Sequence, residues 1–334
     1  MKIIDLIFLA AGLAMILTGA EFFTNGVEWL GKKLKLGEGA IGSVLAAVGT
    51  ALPETSIPII AFLTGRSSET EHIGIGAILG APFMLATLAF FVTGLAAKFY
   101  LKDSQRPELR LNHHLFRWDL QFFLAAYLLA GSAAVLPFGG SKKFIAVILV
   151  LIYAYYLYRT FTRGEKGNEH LKPLYMAVAE GEPRLGIVGG QILISLVAII
   201  GGAKVFVQEV EELARFAGLP PLLLSLIVTP IATELPEKFN SVIWIREGKD
   251  TLAVANITGA MVFQGSLIPA IGMVLTPWEI SPAGLASVFL AFCSTVVFYL
   301  ISRTRGRITP AHLMLGGLFY LFYPLLLFAD RFSP

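Results

Sequence analysis

Ten apolar segments, each long enough to cross a bilayer, follow one another along this chain. They cover residues 3–30, 39–63, 73–97, 120–136, 144–161, 185–216, 222–245, 252–275, 282–301 and 311–328. A helix needs about 20 apolar residues to span the hydrocarbon core. Backbone in lipid must satisfy its own hydrogen bonds, which leaves helices as the form for such segments. The pattern predicts an all-α polytopic membrane protein with ten transmembrane helices. Only 15% of the residues are charged and the mean hydropathy is +0.73, whereas a soluble chain carries about 25% charged residues. The net charge of +3 does not point to nucleic acid, because the basic residues gather in loops.

Those loops predict a topology. Eighteen lysines and arginines fall in one set of loops and six in the other. The positive-inside rule puts the eighteen in the cytoplasm and both termini outside, as expected of a multi-pass protein of the plasma (inner) membrane. The partners this implies are the lipid bilayer and inorganic cations, with no obligatory protein partner. Lys2 and the apolar run behind it lack a small-x-small cleavage site, so they read as the first span and not as a signal peptide. Cys293 is the single cysteine, which excludes an intrachain disulfide. Residues 162–183 form a polar cytoplasmic linker with the composition of a flexible tether. His113 and His114 sit in a loop that reads as solvated.

The chain also repeats itself. A shift of 183 residues lays Gly19-Ala20 on Gly202-Ala203, and Leu52-Pro53-Glu54 on Leu235-Pro236-Glu237. Past a four-residue insertion the shift becomes 179. Gly76-Ala77-Ile78-Leu79-Gly80-Ala81 then faces Ala255-Asn256-Ile257-Thr258-Gly259-Ala260. The halves are 1–161 and 184–334, five spans each, joined by 162–183 into one transport domain. Five is odd, so the halves enter the membrane in opposite senses. Inverted repeats with interrupted helices at mid-membrane are the architecture of secondary transporters.

The interruptions lie in the repeated motif, Gly49-Thr50-Ala51-Leu52-Pro53-Glu54 and Ala232-Thr233-Glu234-Leu235-Pro236-Glu237. A carboxylate at mid-bilayer costs at least about 2.5 kcal/mol and marks a functional position. The proline removes a helix hydrogen bond and frees backbone carbonyls. Glu234, Glu237 and Lys238 fall near one helix face, with Thr233 and Asn240 to its side. The spacing of Glu234 and Lys238 predicts an ion pair. Asn256 and Gln264 face the same region from the eighth span. Carboxylates, hydroxyls and carbonyls are hard ligands that suit Ca²⁺, Mg²⁺, Mn²⁺ or Na⁺. No nucleophile–base set accompanies the acids, so an enzyme is not expected.

The motif in two inverted copies resembles the α-repeats of the cation/calcium exchanger superfamily, which includes the sodium/calcium exchangers. The resemblance implies that Glu54 and Glu237 hold the transported metal ion, with Thr50 and Thr233 as neighbouring ligands. Glu234 and Asn256 join this cation-binding set, and Lys238, Asn240, Gln264 and Ala51 are accessory positions. It further implies a secondary active antiporter without a cofactor, exporting Ca²⁺ or a related divalent cation in exchange for Na⁺ or H⁺ by alternating access. Mg²⁺/Mn²⁺ or monovalent cation/H⁺ exchange, and a transport-dead channel or scaffold role, are the alternatives. The chain departs from the family pattern at Ala51 and Glu234, where serine follows the threonine. It also departs at Gly76–Pro82, which lacks the asparagines and serine found there.

Overall fold

The structure, a computed structural model, describes residues 3–51, 55, 62, 68–103, 108–134, 139–163, 171–177, 182–216 and 234–331. Each of the ten apolar segments holds a helix. The first half contains α1 (Ile3–Lys33) and α2, which starts at Glu38–Ala40 and runs through a π-helical stretch, Ile41–Ala46, to Ala51. It continues with α3 (Ser68–Met84), α4 (Phe90–Asp103), α5 (His113–Ser132) and α6 (Gly139–Arg163). The second half contains α7 (Leu185–Phe216), α8 (Leu235–Arg246), α9 (Asp250–Leu275) and α10 (Pro282–Arg305). It closes with α11 (Pro310–Met314) and α12 (Gly316–Arg331). Among the described residues, six helices are both long and apolar enough to cross a bilayer.

The helix α9 is the axis of the fold. Within its most apolar stretch 83% of the residues are buried, against 28% for α1 and α7. It packs against α2, α3, α5, α6 and α8. Its approach to α2 is too close for side chains. A Cβ on Gly259 would lie 2.1 Å from the Ser43 carbonyl oxygen, and one on Gly42 would lie 2.8 Å from the Ala255 Cβ. Small residues let membrane helices come together in this way.

At the edge of the bundle α1 and α7 pack mainly on each other. A Cβ on Gly202 would meet the Gly12 carbonyl oxygen at 2.9 Å and the Ile16 nitrogen at 3.1 Å. A Cβ on Gly19 would meet the Ser195 carbonyl oxygen and the Ile199 nitrogen, both at 3.2 Å. The shift of 183 residues turns one contact into the other. As the α1 residue advances from 12 to 19, its α7 partner retreats from 202 to 195, so the two helices are antiparallel. The first span of each half therefore runs opposite to its counterpart, as an inverted repeat requires.

Proline and π-helical turns act together in the third segment. Pro82 lies inside α3, and the π-helical turn Leu85–Ala89 joins α3 to α4. The interruption leaves carbonyls to be satisfied from outside. The Ser294 hydroxyl on α10 donates to the Ala86 carbonyl at 2.6 Å.

Two expectations about loops need correction. His113 and His114 open α5 and do not sit in a loop. Asn112 caps that helix by accepting from the amides of His114 and Leu115 at 3.1 and 3.0 Å, and a satisfied cap starts a helix several residues before the apolar run. Residues 171–177 of the linker are not a free tether. The Asn25 side chain donates to the Pro173 carbonyl at 3.3 Å and accepts from the Tyr175 amide at 3.2 Å. The Trp29 indole donates to the Lys172 carbonyl at 2.9 Å, and Gln191 accepts from the Met176 amide at 2.9 Å. Composition describes a stretch by itself, whereas here polar side chains of α1 and α7 supply its partners.

The same loops define one end of the bundle. Lys172 pairs with Glu247 at 2.6 Å. Burial raises the Glu247 carboxyl, but the Lys172 and Lys249 ammoniums beside it bring it below the usual carboxylate range. Lys249 also pairs with the buried Glu28 of α1 at 2.6 Å. The Arg110 amide donates to Asp250, and the Leu109 amide to the Ile308 carbonyl. All of these residues belong to or border the loops that carry the eighteen basic residues.

Candidate cation site

The helix α8 begins at the second proline motif. Glu234 takes its N-cap position, with φ −91° and ψ 14°, and Pro236 lies in the first turn. A proline there loses no helix hydrogen bond, because first-turn N–H groups have no intrahelical acceptor. The motif thus starts α8. Glu237 also lies in the first turn, where the helix dipole favours a negative charge.

Glu237 is 1% exposed, and neither of its carboxylate oxygens has a hydrogen-bond partner among the described residues. Lys238 does not neutralise it. The Lys238 ammonium instead lies 3.3 Å from Glu234 Oε2, with both side chains buried. One turn further along, Asn240 is fully buried and neither end of its amide has a partner among the described residues.

From α9, the Asn256 side chain donates to the Glu237 carbonyl at 3.3 Å, which leaves its own Oδ1 unpaired. Below it the Ser241 hydroxyl donates to the Ala253 carbonyl at 2.9 Å. As α8 advances from 237 to 241, α9 retreats from 256 to 253. The two helices form an antiparallel hairpin that keeps Glu237, Asn240 and Asn256 together.

The first motif arrives at the same place. Thr50 is buried at the end of α2 and lies beside the Glu237 carboxylate. Its hydroxyl donates to the Ala46 carbonyl at 3.1 Å. Ala51 is buried, and its carbonyl already accepts from the Thr55 hydroxyl at 2.6 Å. Glu54 and Thr233 lie outside the described residues. Gln264 is buried with an unpaired Oε1. It sits two turns beyond Asn256, about 12 Å further along α9.

Tyr320 of α12 belongs near this site, although no sequence motif marks it. It is buried, its hydroxyl has no partner among the described residues, and it lies within electrostatic reach of Glu234. A tyrosine in an apolar segment with many aromatic neighbours gives no signal of its own.

An unpaired buried polar atom costs about 1–3 kcal/mol. Several of them around one carboxylate make a poor packing device. They make a suitable lining for a hard cation, since among the described residues Glu237, Asn240 and Asn256 each offer an oxygen. Among the described residues no group of three or more His, Cys, Asp or Glu side chains stands close enough to hold a metal ion.

Known proteins share this plan. The family model described as sodium/calcium exchanger protein matches residues 4–162 and 187–329. The putative antiporter CaxA of Alkalimonas amylolytica is 22% identical over 97% of this chain and 98% of its own length. The sodium/calcium exchanger MaX1 of Methanosarcina acetivorans is 23% identical over 84% of this chain and 86% of its own. Among solved structures, the sodium-calcium exchanger NCX_Mj soaked with Na⁺ and Ca²⁺ superposes with a TM-score of 0.74. It covers 96% of this chain and 98% of its own at 18% identity, so that likeness speaks for the fold.

Proposed function

The chain belongs to the sodium/calcium exchanger protein family, and on that premise we propose that it is a cation antiporter working by alternating access. One observation carries this reading: the Glu237 carboxylate is buried, has no hydrogen-bond partner placed on it among the described residues, and lies beside Thr50 and Glu234. The transported ion is Ca²⁺ or a related divalent cation, and the counter-ion is Na⁺ or H⁺. The names of CaxA and MaX1 support the class of activity. Glu237 and, at the matching position of the first motif, Glu54 supply the charge. Thr50, Asn256, Asn240 and, by the repeat, Thr233 supply neutral oxygens. The two halves, 1–161 and 184–334, act as one transport unit around this site, and the protein performs transport and no covalent chemistry.

Purified protein in liposomes tests the reading. Ca²⁺ uptake is expected only against an opposing Na⁺ or H⁺ gradient, with Mg²⁺ and Mn²⁺ as competing substrates in parallel assays. Uptake without any counter-gradient would identify a channel, and no uptake of any of these ions would identify a non-transporting relative.

The orientation is part of the same proposal. The loop end that gathers Lys172, Lys249 and Arg110 faces the cytoplasm of a plasma membrane, and both termini lie outside. In a Cys293→Ser background, Pro334→Cys is expected to react with a membrane-impermeant maleimide on intact cells. Met176→Cys is expected to react only after permeabilisation. Labelling of both from one side would contradict an odd number of spans in the second half.

A further inference from the structure

The acid of α5 that the cation site does not use is Asp119. It is fully buried and joins four helices. Its Oδ2 accepts from the Ser43 hydroxyl of α2 at 2.8 Å and from the Thr258 hydroxyl of α9 at 2.6 Å. Its Oδ1 accepts from the Tyr156 hydroxyl of α6 at 3.0 Å. The groups that face it are therefore neutral. On α6 the titratable ones are Tyr156 and, behind it, Tyr153. The elements α2 and α9 present only Ser43 and Thr258, and on α5 itself Arg117 turns back to the His113 carbonyl at 3.0 Å. Among the described residues no cation pairs with Asp119.

Three hydroxyls offset part of the cost of burying a carboxylate, but they supply no charge. A single positive charge is missing, and the oxygens stand at hydrogen-bond separations from one another's partners. That spacing fits a proton without rearrangement. The Thr258 hydroxyl also lies 3.2 Å from the Val254 carbonyl. When Oδ2 carries a proton, it donates to Thr258, and Thr258 turns its own proton to Val254. No heavy atom need move. A water-sized cavity near the basic-loop end, with a largely apolar lining that includes Leu115 and Phe116, also has Asn112, Thr251 and Thr258 in its wall, and Thr258 is the residue that touches Asp119.

We propose that Asp119 is a proton-binding site, separate from the Glu237 site and filled from the basic-loop end, and that its occupancy makes exchange depend on pH. The link to exchange rests on the antiporter reading; the binding of the proton does not. Infrared difference spectroscopy across a pH titration tests the binding. Wild type is expected to show the C=O band of a neutral carboxylic acid that is lost as pH rises. The band should be missing in Asp119→Asn, which keeps the shape and the acceptor oxygen, and shifted in Thr258→Val. In liposomes, Asp119→Asn is expected to exchange cations with the pH dependence lost. Absence of any Asp119-dependent band at every pH where the protein stays folded would overturn the proposal, whatever the flux. A wild-type pH profile in Asp119→Asn would overturn it too, and flux lost in wild type itself would instead strike at the antiporter reading.

Discussion

Glu237→Gln is expected to lower cation exchange by at least about 100-fold, or about 2.7 kcal/mol of lost stabilisation. The substitution keeps size and one acceptor oxygen but removes the charge. The wild-type carboxylate is buried in the first turn of α8, beside the Thr50 hydroxyl. Glutamine can keep that contact, so the variant should remain folded. Its melting temperature should stay the same or rise, because the variant no longer buries a charge at that position. Flux in liposomes and thermal unfolding in detergent, measured on the same preparation, separate the two effects. Wild-type flux in Glu237→Gln would remove this residue from the cation site.

The second large effect concerns Lys238. Its ammonium is 3.3 Å from Glu234 in a dry environment. Lys238→Ala leaves Glu234 buried without a partner, and breaking a buried pair in this way costs about 3–5 kcal/mol. Glu234→Ala with Lys238→Ala removes both charges and should recover a good part of that loss. Transport should change as well. The lysine supplies a fixed positive charge next to the cation site, so without it the acids require another cation. Exchange by Lys238→Ala is expected to need more Na⁺ or a lower pH than wild type. Melting temperatures and flux against Na⁺ and pH, taken for the single and double variants, decide the matter. A stable Lys238→Ala with unchanged ion dependence would mean that the lysine has no part in the site.

The helical plan was legible because membrane burial forces each apolar run into a helix. The repeat was legible because Leu-Pro-Glu is rare inside such runs. The pairing of Lys238 with Glu234 followed from their spacing, since four residues bring two side chains to one face. Other features depended on contacts between distant elements. Asp119 lies one residue before the apolar run that starts at 120, and it reads as a loop acid until the Asn112 cap extends α5 across it. Tyr320 is one aromatic among many, and only the packing of α12 brings it near Glu234. The linker reads as flexible because its partners, Asn25, Trp29 and Gln191, are over one hundred positions away or across the start of the next helix.

The contact between α1 and α7 has a consequence for assembly. Gly19 meets Ser195 and Ile199 as Gly202 meets Gly12 and Ile16. A contact that maps onto itself under exchange of its two sides is isologous, the kind found at the two-fold axis of a symmetric dimer. At this seam the single chain thus packs as two identical subunits would. Each half offers the other the same patch that it receives. A bulkier side chain at Gly12 would press on Gly202, and the equivalent position on the other side, Ser195, already tolerates a Cβ. The two members of this seam have therefore ceased to be interchangeable, and a joined chain, unlike two identical subunits, is free to let them differ.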